Sequence, residues 1–160
     1  MPHKDLIIDE LTIEHEGVID FKDFLKFLKL FMKKYDYNID EKIYETKTSK
    51  QELKTTLIVW GCDRKVDDYN KIIIKPKIIL SDYKEGTIDR KKIIEGKIEI
   101  SIKVEIERDY DENWKKSPIK RFFRAVYDKY VVEAKQEKIN SEAKNIVSKL
   151  KTEINQYFNE

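Results

Sequence analysis

The sequence holds one cysteine, Cys62, in the run Trp60-Gly61-Cys62-Asp63, and two histidines, His3 and His15. A thiolate activated by an imidazole is the simplest nucleophile these residue types allow, and it needs both side chains within hydrogen-bond reach. His15 and Cys62 meet that need only if their strands are neighbours. However, Cys62 closes an apolar run, where a lone cysteine usually packs as a small core residue. No G-x-S-x-G elbow accompanies it. Core packing is therefore the preferred reading of Cys62.

Metal chemistry finds little more. One cysteine and two histidines cannot close a structural zinc site. The run Asp109-Tyr110-Asp111-Glu112-Asn113-Trp114 opens like a calcium loop. Trp114 then stands where the sharp-turn glycine belongs, and Lys120 where the bidentate glutamate should be. It reads as a solvated acidic turn. Asp63, Asp67 and Asp68 offer three carboxylates, but Arg64 and Lys65 lie among them, which suits a polar hairpin connection. Four glycines in all leave no material for a G-x-G-x-x-G or Walker loop. The sequence names no catalytic residue, no metal ligand and no cofactor.

The strongest charge feature is basic. Lys115, Lys116, Lys120, Arg121 and Arg124 fall within ten residues with no acid between them. Ser117 and Pro118 mark a helix start there, and a helix N-terminus already favours anions through its unpaired N–H groups and dipole. Trp114 and Phe122 would add stacking surfaces for a nucleic acid. Against this, Phe122 and Phe123 also fit a buried seam, so the bases serve first to solvate a packed helix. An anion or nucleic-acid site is the alternative. The lysine stripe Lys22, Lys26, Lys29 and Lys33 reads likewise as the wet side of a core helix.

The chain has 160 residues, 33 bases against 31 acids and a net charge of +2, so no global field draws it to nucleic acid. Hydrophobic and charged residues each make up 40 %, which suits one folded domain rather than a disordered chain. A single cysteine excludes an intrachain disulfide and fits a reducing compartment. No apolar run reaches the roughly 18 residues of a membrane helix, and the amino end lacks a signal-peptide core. A cytoplasmic protein is expected. The abundance of Ile, Lys and Glu fits a hot habitat, and an AT-rich genome equally.

These features need elements to carry them. Leu11 and Ile13 alternate with Glu10, Thr12 and Glu14 in a first strand that Gly17 is expected to break. Asp20 reads as an N-cap for a helix over 21–35, with Phe21, Phe24, Leu25, Leu28, Phe31 and Met32 on one side and Phe27 and Leu30 widening that face. Four strands follow. Tyr37, Ile39 and Ile43 share a face in the first. The second ends at Gly61, where a bulge or close backbone approach is expected. Pro76 marks the third as an edge strand or bulged. The fourth alternates most cleanly, with Ile98, Ile100, Ile102, Val104 and Ile106 facing one way, and Gly96 a natural bend. Its eleven alternating residues span roughly 36 Å, so it must twist or coil.

A helix from Ser117 carries the seam Ile119, Phe122, Phe123, Val126, Tyr127, Tyr130 and Val131. After a polar break over 133–140, Ala143, Ile146, Val147, Leu150, Ile154, Tyr157 and Phe158 define the last helix. The fold class is α+β, a single domain over residues 1–160. A mostly antiparallel twisted sheet of about five strands carries one helix after its first strand and two C-terminal helices on one face.

Taken together, the first strand at "ELTIEHE", the long "KIEISIKVEIE" strand and the closing "SEAKNIVSKLKTEINQYF" helix resemble the helix-grip, or START-like, proteins. The resemblance is one of element order, with one early helix instead of two, fewer strands, and an added helix at Ser117. It implies a cavity for an apolar ligand between the sheet and the final helix. The expected function is a non-catalytic binding module. It would hold an apolar small molecule or a protein partner between sheet and C-terminal helices, with Trp60, Tyr127, Tyr130 and Phe158 lining the pocket. The alternative is a nucleic-acid (RNA or DNA) or phosphate-binding factor acting through residues 115–124.

Overall fold

A computed structural model describes residues 3–4, 9–67, 70–108 and 132–159, together with Phe122 and Val126. The elements run β1 (His3–Lys4), β2 (Asp9–Ile19), α1 (Phe21–Lys34), β3 (Asn38–Thr48), β4 (Lys54–Lys65), β5 (Asn70–Ile88), β6 (Lys91–Arg108) and α2 (Val132–Asn159). The architecture is α+β, and every strand pairing is antiparallel. Strands β3 to β6 form a meander in the order β6-β5-β4-β3, and both β1 and β2 pair with the far side of β6. The opening strands therefore lie beside the last.

Alternation in β6 sets the core. Ile98, Ile100, Ile102, Val104 and Ile106 are all fully buried, each contributing about 1.5–3 kcal/mol by leaving water. Ile58, Trp60 and Cys62 of β4 and Ile72, Ile74, Ile78 and Leu80 of β5 extend the same layer. α2 covers β6 and β2 with Ala143, Val147, Leu150 and Ile154, all fully buried. Its 28 residues span about 42 Å. The expected polar break over 133–140 does not occur: the helix is continuous through it. Lys, Glu and Gln are good helix formers, so a polar stretch of them extends a helix instead of ending it.

The cap of α1 is as expected, with Asp23 N–H donating to Asp20 Oδ1 at 3.1 Å. Phe24, Leu28, Phe31 and Met32 are buried, whereas Leu30 is 58 % exposed and lies outside the packed face. Phe122 and Val126, placed in the buried seam from their spacing, are helical but exposed. The rest of that seam lies outside the described residues.

Irregularities in three strands fall at one level of the sheet. Gly17 pairs with Gly96 across β2 and β6, and Asp82 and Tyr83 of β5 bulge opposite Gly96. A Cβ on Gly96 would stand 2.7 Å from Tyr83 Cβ. Gly17 adopts φ +143°, which disfavours any side chain. β2 therefore runs through Gly17 instead of breaking there.

Pro76 corrects another expectation. It lies in β5, between β4 and β6, and not at an edge. It pairs with Ile102 of β6, while the β4 ladder steps from Cys62↔Ile74 to Val59↔Lys77 in unchanged register. The missing N–H is accommodated by a lapse in pairing on one side only. A further correction concerns β3. Its register shifts between Glu41 and Ile43, leaving Lys42 as the extra residue opposite Trp60 and Val59. One inserted residue reverses the alternation, so Ile43 leaves the face of Tyr37 and Ile39. Lys42 folds over Gly61, its Cε within 3.3 Å of where a Cβ would stand; the close neighbour is this side chain and not the backbone expected there.

Candidate functional site

The sequence-predicted residues divide sharply. Lys115, Lys116, Lys120, Arg121, Arg124, Tyr127 and Tyr130 lie outside the described residues. Trp60 is a core residue under α1, with Lys29 Nζ 5.8 Å from its ring and Nε1 donating to Glu41 Oε1 at 3.3 Å. Phe158 is half-buried near the end of α2, stacked on His15 at 4.4 Å and on Phe24 at 5.0 Å. The two aromatics thus meet different neighbours. Two strands, β6 and β5, stand between β2 and the β4 strand of Cys62, so His15 and Cys62 are not on neighbouring strands. Burial first, then Asp63, pushes the Cys62 thiol up to about 12, which removes the thiolate a nucleophile needs.

Among the described residues, no group of three His, Cys, Asp or Glu side chains is placed to hold a metal. Asp63 pairs instead with Lys71 at 2.9 Å, and Asp67 accepts from the Asn70 N–H at 2.7 Å, so both organise the β4–β5 connection.

A different cleft is present, of about 560 Å³, where the chain leaves α1, β4 ends and the first half of α2 passes. Its floor is built by a helix terminus. Asp36 takes φ 65°, its N–H bonds Lys33 C=O at 3.1 Å, and Tyr37 N–H bonds Met32 C=O at 2.8 Å. That pair of bonds is a Schellman cap with Asp where Gly is usual. It reverses the chain sharply, leaving Tyr35 outside and Tyr37 inside. Tyr35 packs on Phe31 at 4.8 Å, while Tyr37 is 4 % exposed.

Charge surrounds these two rings. Lys34 and Lys149 hold their ammonium groups 5.4 Å and 5.3 Å from the Tyr35 ring. Arg64 lies 5.5 Å from the Tyr37 ring and pairs with Glu142 of α2. Tyr37 Oη is buried and has no hydrogen-bond partner. Burial raises the phenol above its ordinary pKa, against the pull of the Arg64 guanidinium. That guanidinium is near enough to favour the phenolate, yet no hydrogen bond of good geometry reaches Oη. The hydroxyl therefore stays neutral at physiological pH, a donor with nothing to donate to.

Sequence reasoning did not find this cleft. Its parts come from three distant segments, and its one local signal, a helix ending at "KKYDYN", is muted because Asp36 replaces the usual glycine. Set against known protein families, curated proteins and solved structures, the chain matches none. No helix among the described residues is long and apolar enough to cross a membrane.

Proposed function

We propose that this chain is a binding module without catalytic machinery, holding a small molecule with an apolar body, or a side chain of a protein partner, between the sheet end and α2. The observation that carries this reading is the cleft of about 560 Å³ walled by Tyr35 and Tyr37. That volume lies within the roughly 300–1,000 Å³ of small-ligand sites. Support also comes from the element order. A strand and a helix come first, an antiparallel meander follows, and a long helix closing the chain covers β6 and β2, the order on which the helix-grip resemblance rests. In this chain, however, the middle of the covered face is filled by Trp60, Ile100 and Val147. The ligand site is therefore assigned to one end of α2 and not beneath its centre.

Native mass spectrometry of freshly purified protein tests the reading. A retained molecule that disappears in Asn145→Trp, which fills the cleft from an exposed position on α2, is the expected result. A clean apo mass, with no small molecule or partner peptide altering the amide spectrum of the cleft, sinks it. The nucleic-acid alternative rests on the basic run at 115–124. Salt-dependent binding of single or double strands would favour it over the cleft.

A further inference from the structure

Taking the cleft as the ligand site, we propose that its occupant carries an oxyanion, a phosphate monoester or a carboxylate, that replaces Glu142 as the partner of Arg64 and accepts a hydrogen bond from Tyr37 Oη. Three features of the cleft converge on this. A buried hydroxyl without a partner carries a free-energy cost that an arriving acceptor removes. Tyr37 is such a residue, at 4 % exposure and with Oη unmatched.

Arg64 supplies the second feature. A guanidinium offers five donors in a planar fork suited to bidentate capture of carboxylate or phosphate. Among the described residues it gives one hydrogen bond, from Nη2 to Glu142 Oε1. The Glu142 side chain is 45 % exposed, so its carboxylate can swing into water at little cost, as for other partly exposed ion pairs. Glu142 thus stands where a ligand's own oxyanion would stand.

The third feature is charge. Lys34, Arg64, Lys138 and Lys149 line the cleft against Asp36 and Glu142 alone. Lys34 and Lys149 have no carboxylate partner among the described residues, and both turn toward the Tyr35 ring. Displacing Glu142 deepens the positive excess. The apolar body of the ligand would then rest on Tyr35 and Ile146.

Isothermal titration with phenyl phosphate, benzoate and the neutral benzyl alcohol, at low and moderate ionic strength, tests the proposal. The two anions should bind, more weakly as salt rises, and benzyl alcohol should not; their ranking identifies the preferred oxyanion. Glu142→Gln should tighten the anions about threefold or more by removing the internal competitor. Tyr37→Phe, which keeps the ring and its packing, should weaken them by about the same factor, the worth of one hydrogen bond. Circular dichroism confirms that each variant is folded. The proposal is overturned if neither anion binds better than benzyl alcohol, or if Glu142→Gln leaves their affinity unchanged. If a neutral molecule expelled by Asn145→Trp is found while both anions fail, only the oxyanion is wrong and the cleft stands. If Asn145→Trp changes nothing and no probe binds, the cleft falls as well.

Discussion

Tyr157 Oη donates to Asp23 Oδ2 at 2.7 Å, joining the last turn of α2 to the first turn of α1. The same aspartate is held by its backbone N–H to Asp20 Oδ1, and its neighbour Phe24 packs on both Tyr157 and Phe158. The two helices are therefore locked where they meet over β2. Burial first, then Asp23 and Asp20, raises the Tyr157 phenol well above the ordinary tyrosine range.

Tyr157→Phe should cost about 1 kcal/mol at neutral pH, the value of one hydrogen bond to a charged acceptor in a half-exposed setting. Unfolded tyrosines ionise near 10, whereas native Tyr157 keeps its proton above that. The native contribution is thus whole below about pH 10 and drains away as pH climbs toward the folded value. Urea unfolding across pH 8–11 should show a shallower alkaline loss in the variant. The loss should not vanish, since burial raises Tyr37 and Tyr44 as well. An unchanged alkaline profile would mean that the bond does not form in solution.

Gly96→Ala should destabilise the fold by about 1–3 kcal/mol, the usual cost of forcing atoms into filled space. The new methyl would meet Tyr83 Cβ at 2.7 Å and Tyr83 Cα at 3.0 Å, and a backbone atom cannot swing aside. The midpoint in urea reports the change, and a neutral result would show that the β5 bulge is absent.

Cys62 should resist thiol reagents in the native state. It is fully buried and its thiol is held protonated up to about 12. Labelling with a disulfide reagent should proceed no faster than the protein opens, and should accelerate sharply in denaturant. Rapid stoichiometric labelling of native protein would contradict the core assignment. The sign of the linked pH effect is the same as for Tyr157: unfolded thiols ionise near 8.5, so this part of the stability is whole below that pH and declines above it.

Asp36→Gly should stabilise the protein by about 0.5–1 kcal/mol, because glycine adopts φ 65° without the penalty a Cβ brings. Thermal unfolding measures it. A loss of stability instead would mean that the Asp36 side chain contributes more than the backbone strain it brings.

How far these features could be read in the sequence depended on the distance over which each is decided. The Asp20 cap, the inward face of β6 from Ile98 to Ile106 and the α2 stripe from Ala143 to Phe158 are local patterns, and each is present as expected. Ile43 was misplaced because a single inserted residue, Lys42, inverts everything beyond it and leaves no mark in composition. Pro76 implies an edge or a bulge because its lost donor is usually harmless only there; here one lapse in the β4 ladder, at unchanged register, absorbs it. The cleft joins Tyr35, Arg64 and Glu142, and no local spacing rule reaches across those separations. Inward-facing periodicity groups Trp60 with Phe158 but does not say which neighbours each ring finds: Lys29 and Glu41 for one, His15 and Phe24 for the other.

The sheet order also governs how the molecule comes into being. Each hairpin from β3 to β6 closes on its immediate neighbour, but Ile19 must wait for Ile94, and Asp9 for Val104. A chain leaving the ribosome therefore carries its opening strand unpaired until nearly the whole meander has emerged. Pairings between such remote segments are the slow steps of folding. In pulse-labelled refolding, the amides of β2 should be the last in the sheet to gain protection, and the seating of the closing helix should follow the same clock.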